Sequence, residues 1–388
     1  MIKGLFCHYL PIYKDIDGNY CSTTLTNDLF SRYFCVVDEL YVATRVYPIN
    51  KTYSEAHQEL INLKNVNIIE FPNLSNLKGF FLELPKARKK IQQIAKNMDL
   101  IFIRGGVIAL LGVTAARKLH KPYLIECAGC AWDEYWNYSF SGKIIAPYME
   151  YRAKKDTKNA SHVIYVTEKW LQNRYPTNGK HTNASNVILN AIDDNALTKR
   201  LEKITTFDHK NIHIGTTGGV GNKAKGQQFV IEAISKLSQK YNITYELVGS
   251  GDNTYLLNMA KKFNVEDKVV FKGQLTHEEV LEWLDSLDFY IQPSMQEGLP
   301  RALIEAMSRA CPAIGSTTAG IPELLEPQYI FKRGKVKDLI RVMNYSFDNE
   351  LREIVERNFL KSKEYQIDNL NKRRTALYKD YLMFIKGE

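Results

Sequence analysis

Apolar residues along this chain come in short unbroken runs, separated by stretches whose apolar positions recur at helical spacing. In the first half the runs fall at Lys3–Leu10, Leu40–Val46, Val66–Phe71, Leu100–Ile103, Tyr123–Cys127, His162–Val166 and Asn186–Leu189. In the second they fall at Ile212–Gly215, Thr244–Val248, Val269–Lys272, Phe289–Gln292 and Pro312–Gly315. Such runs, bounded by turn residues, predict strands buried on both faces. Between them, Val107–Leu119 and Ile144–Lys158 predict helices. The alternation argues for an α/β fold of parallel sheets covered by helices, which bind ligands at the carboxyl ends of their strands.

A chain of 388 residues suits two domains, because single cores stop growing beyond roughly 250–300 residues. The expected units are 1–195 and 205–350, with a charged boundary between Asp193 and His209 that holds no apolar strand. The amphipathic tail, about 355–388, is expected to pack back on the first domain. Met1-Ile-Lys-Gly-Leu-Phe begins like a strand, so no secretory signal is expected. Leu100–Ala116 is interrupted by Arg104, Gly105 and Gly106 and cannot span a bilayer. Six scattered cysteines fit reduced thiols in the cytoplasm. Cys127 and Cys130 form a CxxC that lacks a second ligand pair for zinc, so buried thiols at a strand end are favoured over a redox pair.

Charge alters this picture. The net charge is +9, and residues 1–200 hold 26 lysines and arginines against 18 acids, whereas residues 201–388 hold 26 against 25. A basic half beside a neutral half points to an anionic partner for the first domain.

The densest chemistry follows the strand at Phe289–Gln292. Glu297 and Gly298 stand in a loop, Leu299 and Pro300 lead into a helix with Pro300 in its first turn, and Glu305 follows along that helix. Free amides at a helix start attract phosphate, while a carboxylate there accepts from sugar or ribose hydroxyls. On spacing alone, a loop charge and a solvated helix residue explain the two acids equally well.

Glu297 to Glu305 resembles the E-x7-E motif of retaining family 4 glycosyltransferases. Cys311-Pro312 through Gly315, with Ala319-Gly320-Ile-Pro322-Glu323-Leu324, resembles that family's next turn, strand and helix. Ile214-Gly215, Lys225-Gly226 and Ile231-Glu-Ala233 are similar to its strand, lysine–glycine turn and helix. Tyr245 to Gly251 and Val269 to Gly273 resemble its next two strands, and Asn190-Ala191-Ile192-Asp193 the close of its first domain. The likeness is strong over about 186–325 and a matter of layout elsewhere.

The resemblance implies a GT-B fold, in which two Rossmann-like domains face a cleft. It implies a metal-independent enzyme that moves sugar from a nucleotide diphosphate-sugar, UDP-sugar favoured, to a saccharide or lipid-linked acceptor. The donor is a substrate, so no cofactor is expected. Glu297 would contact the donor sugar and Glu305 the ribose. Backbone near Gly298, Leu299 and Pro300 would approach sugar or phosphates, and Lys225 would neutralise the leaving diphosphate. Gly18 resembles the family's glycine loop near the phosphates, although most such glycines are simply turns.

Two departures need replacements. An arginine usual five or six residues before Lys225 is missing; Gly219 and Val220 stand there, and Lys223 is a candidate for its charge. A histidine usual after Tyr123–Cys127 is also missing, and Asp133 or Glu126 is a candidate for its polar role. His8 reads as a core histidine. Gly219-Val-Gly221-Asn-Lys-Ala224 fits a dinucleotide fingerprint, but its lysines and the distant Glu246 argue against nicotinamide. Asp15-Ile-Asp17 reads as a turn rather than a metal motif.

Trp132 to Phe140 concentrates aromatics in an expected loop, suited to stacking on sugar or to packing. The basic helix near 85–97, with Phe80 and Phe81 before it, suits either solvent or an anionic inner-membrane surface. A bacterial surface-polysaccharide role follows from family habit. The rivals are an epimerase or phosphorylase on the same architecture, a silent nucleotide-sugar binder, and a nucleic-acid binder. The last lacks a reading helix, so no nucleic acid is expected.

Overall fold

The computed structural model describes residues 1–74, 77–190 and 192–388, the side chains of 77–81 excepted. Ala191, and the side chains of Phe80 and Phe81 invoked above, therefore lie outside the described residues.

The N-terminal sheet runs, in spatial order, Val66–Phe71, Glu39–Pro48, Lys3–His8, Leu100–Arg104, Leu124–Cys127, His162–Tyr165 and Lys180–Asn183, all parallel. Beyond the end of Glu39–Pro48, Ile12–Lys14 adds a short parallel pairing and turns back antiparallel through Tyr20–Ser22 to Glu59–Leu60. The C-terminal sheet runs Val269–Gly273, Asn242–Val248, Asn211–Thr217, Phe289–Gln292, Ala313–Ser316 and Ile330–Phe331, also parallel. In each sheet the chain starts in the middle, builds outward one way, then returns and builds the other. Helices therefore cover both faces, and the order reverses beside the first strand, where such sheets bind ligands. This is the GT-B architecture that the resemblance implies.

Local chemistry fits the elements. Phe289–Gln292 and Ala313–Ser316 are buried throughout, as central parallel strands require. The helix His277–Ser286 opens with a capping box, Thr276 accepting from the Glu279 amide and Glu279 from the Thr276 amide.

Two expectations need correction. Asn186–Leu189 forms no strand; only Leu189 makes a bridge, to Gln366. The last strand of the first sheet is Lys180–Asn183, a polar edge strand that an apolar-run reading passes over. The charged segment 193–209, expected to hold no apolar strand and to be open to helix in part, contains the helix Asn195–Ile204, which packs on the second domain. Its Arg200 donates to the Leu284 carbonyl (2.8 Å) and its Lys203 to those of Ser286 (2.6 Å) and Leu287 (2.8 Å). The tail crosses later than expected. Arg352–Lys363 stays on the second domain against Arg301–Ser308, and only Ile367–Lys386 returns to the first. There Asp380 meets His162 (2.8 Å) and Lys180 (2.7 Å).

The halves are fastened by more than the tail. One buried apolar cluster runs from Val166 and Leu171 of the first domain to Leu299 and Leu303 of the second. Glu323 accepts from the amides of Glu168 (2.6 Å), Lys169 (3.1 Å) and Trp170 (2.6 Å), capping a short first-domain helix from the second domain. No helix of the described residues is long and apolar enough to cross a membrane.

Candidate active site

The two reversal points face each other across a cavity of about 380 Å³. His8, Tyr9, Arg104, Gly105, Glu126 and Glu134 line it from the first domain; Asn222, Ala224, Lys225, Gln296, Glu297 and Gly298 line it from the second.

The second-domain wall is a pair of interlocked loops. After Asn211–Thr217, the Asn222 side chain accepts from the Ala224 amide and folds a tight turn, closed by Gly226 at φ 77°, where only glycine sits without strain. This turn holds Lys225 toward the loop after Phe289–Gln292. The Met295 amide donates to the Ala224 carbonyl (2.7 Å) and ties the loops together. Lys225 Nζ meets Glu297 Oε1 at 2.8 Å, and the same oxygen accepts from Ser294 Oγ at 2.8 Å. Glu297 is thus held by a cation and a hydroxyl while facing the cleft.

Gly298 lines the cleft where the walls touch. A Cβ there would lie 2.0 Å from the Ala128 carbonyl oxygen of the first domain, so the closed geometry requires glycine. Leu299 is buried in the shared core, and Pro300 is the N-cap of Arg301–Ser308, one position before the helical turn expected for it. Glu305 lies on that helix but does not line the cavity. Burial raises its carboxyl pKa, opposed by Arg301 and His277.

The first-domain wall is of a different kind. His8 is buried, with the Arg104 backbone as its polar neighbour. Burial, with the nearby charge of Arg104, holds its pKa well below the ordinary imidazole value. It is neutral. Tyr9 hydrogen-bonds Glu134, whose carboxyl pKa is raised by burial. Glu126 accepts from Tyr33 (2.8 Å) and Tyr378, with Arg104 at 3.7 Å. Behind these groups the cavity continues into an apolar recess between Gly106–Lys118 and Phe140–Lys158, reaching Val113 and Met149.

Four other candidates lie elsewhere. Asp133 is engaged by Arg333 of the second domain (3.2 Å) and does not line the cavity; its neighbour Glu134 does. Gly18 occupies the exposed turn between Ile12–Lys14 and Tyr20–Ser22, away from the cleft, because the chain there turns back into the edge hairpin. Gly219 lies in the loop beside Ser250 and Lys223 sits over the Tyr255 ring (4.1 Å), neither lining the cavity. Asp15 accepts from the amides of Asp17 (3.0 Å) and Asn19 (2.8 Å), closing the turn expected of it. Cys127 and Cys130 are buried, and burial pushes the Cys127 thiol up to about 12, the wrong direction for a reactive pair. The expected aromatic loop is a helix, Ala131–Trp136, in which Trp132 stacks on Trp136.

Tyr9, Arg104, Gly105 and Glu134 were not anticipated as cleft residues. The available signal was Arg104-Gly105-Gly106 at a strand end before a helix, read above only as an interruption of apolarity.

The family model described as "Glycosyl transferases group 1" matches residues 198–362. Protein CapJ of Staphylococcus aureus is 33% identical over 98% of this chain and 96% of its own length. The amylovoran biosynthesis glycosyltransferase AmsK of Erwinia amylovora is 36% identical over 26% of this chain and 27% of its own. Among solved structures, Anabaena HepE in complex with UDP superposes with a TM-score of 0.62, covering 98% of this chain and 100% of that one. At 16% identity that likeness speaks for the fold alone.

Proposed function

The chain belongs to the group 1 glycosyl transferases, and on that premise we propose that it moves a sugar from a UDP-sugar to an acceptor hydroxyl with retention at the anomeric carbon. The observation that carries this reading is the Lys225–Glu297 pair at the reversal point of the second sheet, opposite that of the first. A bound diphosphate would draw the Lys225 ammonium onto its own oxygens. Glu297 would then be free to accept from the sugar's hydroxyls beside the reacting carbon, with Glu305 nearer the ribose. As the bond to phosphate breaks, negative charge grows on the leaving diphosphate, where a preorganised cation lowers the barrier most. The acceptor oxygen bonds to the same face of the sugar, and its proton passes to the departing phosphate. This route uses no side-chain base and no metal.

On the opposite wall we assign the acceptor's polar contacts to Glu134 and Tyr9. The amylovoran biosynthesis in AmsK's name supports a role in polysaccharide synthesis, and HepE's complex with UDP shows only that this fold accommodates that nucleotide.

A thermal-shift panel of UDP-, GDP- and ADP-sugars tests the donor. A ligand at 100 times its Kd stabilises the folded state by about 2.7 kcal/mol. A selective rise with UDP-sugars is expected, and the product's anomeric proton should report the donor's configuration with EDTA present. Selectivity for another nucleotide, an inverted product or loss of transfer in EDTA would overturn the corresponding part.

A further inference from the structure

The helix Phe140–Lys158 is apolar on two sides. Ala146 and Met149 face inward, as the core requires. On the solvent side, Phe140, Ile144, Tyr148 and Tyr151 recur at spacings that place them on one face. Phe140 is 80% exposed and Ile144 70%, and Tyr138 at the preceding turn is 81% exposed. Ile145 and Trp136 extend the patch. A contiguous apolar surface of this kind marks an interaction site.

Its charges are of one sign. Lys143 lies over the Trp136 ring (5.7 Å) and Lys155 over Tyr151 (5.7 Å), and Lys154 and Lys158 are exposed beside them. The acids between Tyr138 and Lys158 are Glu150 and Asp156, both buried. Arg174 pairs with the first (3.0 Å) and Arg152 with the second (3.1 Å). The outward face thus presents aromatic and aliphatic groups among lysines with no exposed carboxylate on that helix. Aromatic rings settle at the headgroup level of a bilayer, and lysines are drawn to anionic lipid.

We propose that this face docks the enzyme on an anionic lipid bilayer. The opposite side of the same helix, through Met149 and Ala153, lines the recess that leads to Lys225 and Glu297. Docking therefore sets the acceptor side of the cleft against the membrane. The basic helix near 85–97, which from sequence suits solvent as well as a membrane and lies within Leu77–Lys96, is the weaker candidate. Its Ala87, Ile91 and Ala95 are buried, and Lys90 is engaged by the Glu70 carbonyl (2.8 Å). The proposal extends beyond sugar transfer, and its test needs no donor.

The full chain would be sedimented with vesicles of phosphatidylcholine alone and of phosphatidylcholine with phosphatidylglycerol. Binding is expected only with the anionic lipid. The triple variant Phe140→Ser/Ile144→Ser/Tyr148→Ser should lose it by tenfold or more while keeping the wild-type thermal shift with UDP. Lys143→Glu/Lys155→Glu should lose at least about fivefold per lysine, and Arg88→Glu/Lys89→Glu should bind within twofold of wild type. The proposal is overturned if wild type ignores anionic vesicles, or if the triple variant binds as well as wild type. It is overturned equally if the loss follows Arg88 and Lys89. Concentration-dependent dimerisation that vanishes in the triple variant, without vesicle binding, would assign the face to a second copy and overturn it too.

Discussion

The two walls of the cleft occupy equivalent places, each at the reversal point of a parallel sheet, yet they are built differently. The second-domain wall carries a formed ion pair, Lys225 with Glu297, backed by Ser294. The first-domain wall carries a looser pair, Arg104 with Glu126 at 3.7 Å, beside a buried histidine whose pKa burial lowers, a carboxyl whose pKa burial raises, and a largely apolar recess behind them. A close lysine–glutamate pair on one wall faces a looser pair and buried, pKa-shifted groups on the other, and the proposed division of donor from acceptor rests on that difference.

The contrast breaks most visibly at Glu297. Glu297→Ala should lower turnover by about 10³-fold or more, while the affinity for UDP, measured by calorimetry, stays within threefold. A variant that loses both equally would make Glu297 part of the nucleotide site alone. Next comes the point of contact between the walls. Gly298→Ala drives a methyl into the Ala128 carbonyl, and a misplacement of about 1 Å costs about 10²-fold in rate. Wild-type turnover in that variant would show that closure is not needed.

A smaller effect is expected on the other wall. Glu134→Gln should raise the acceptor KM roughly tenfold, the cost of about one hydrogen bond, and leave the thermal shift with UDP unchanged. A change in that shift instead would move Glu134 to the donor side. The smallest effect concerns His8 and pH. Its folded-state pKa is depressed, so its neutral form favours folding above the unfolded value near 6.5, and that contribution is lost as pH falls below it. His8→Leu should remove up to about 1.4 kcal/mol per pH unit of that loss, read as a flatter fall in urea-unfolding stability between pH 7 and 5. An unchanged slope would mean that His8 takes up a proton in the folded protein.

The same contrast explains what could be read from sequence. Glu297 and Glu305 sit on one strand–loop–helix unit, so a single spacing exposes them, and Lys225 is marked by the glycine its turn requires. The acceptor wall is gathered from residues 8–9, 104–105 and 126–134, which meet only once the sheet has formed. No local spacing announces it, and of the two candidates offered for its polar role Glu126 lines the cleft, whereas Asp133 stands beside the lining Glu134. Gly18 failed for a related reason: a glycine after the first strand is visible, but the hairpin that carries it away is built from strands of two and three residues. The tail helix was legible as amphipathic, whereas its crossing point depends on the Leu189–Gln366 bridge. The helix over Ile144–Lys158 is legible from its spacing, but the exposed stripe on Phe140–Lys158 is not, because spacing does not show which side is covered.

The central claim is that the activated sugar lies against Glu297 with its diphosphate on Lys225, and a structure with a non-transferable UDP-sugar tests it most directly. The account predicts sugar hydroxyls within about 3 Å of the Glu297 carboxylate, the Lys225 ammonium moved onto phosphate, and the 2.8 Å pair opened. A ligand bound outside the cleft, with that pair intact, would contradict it.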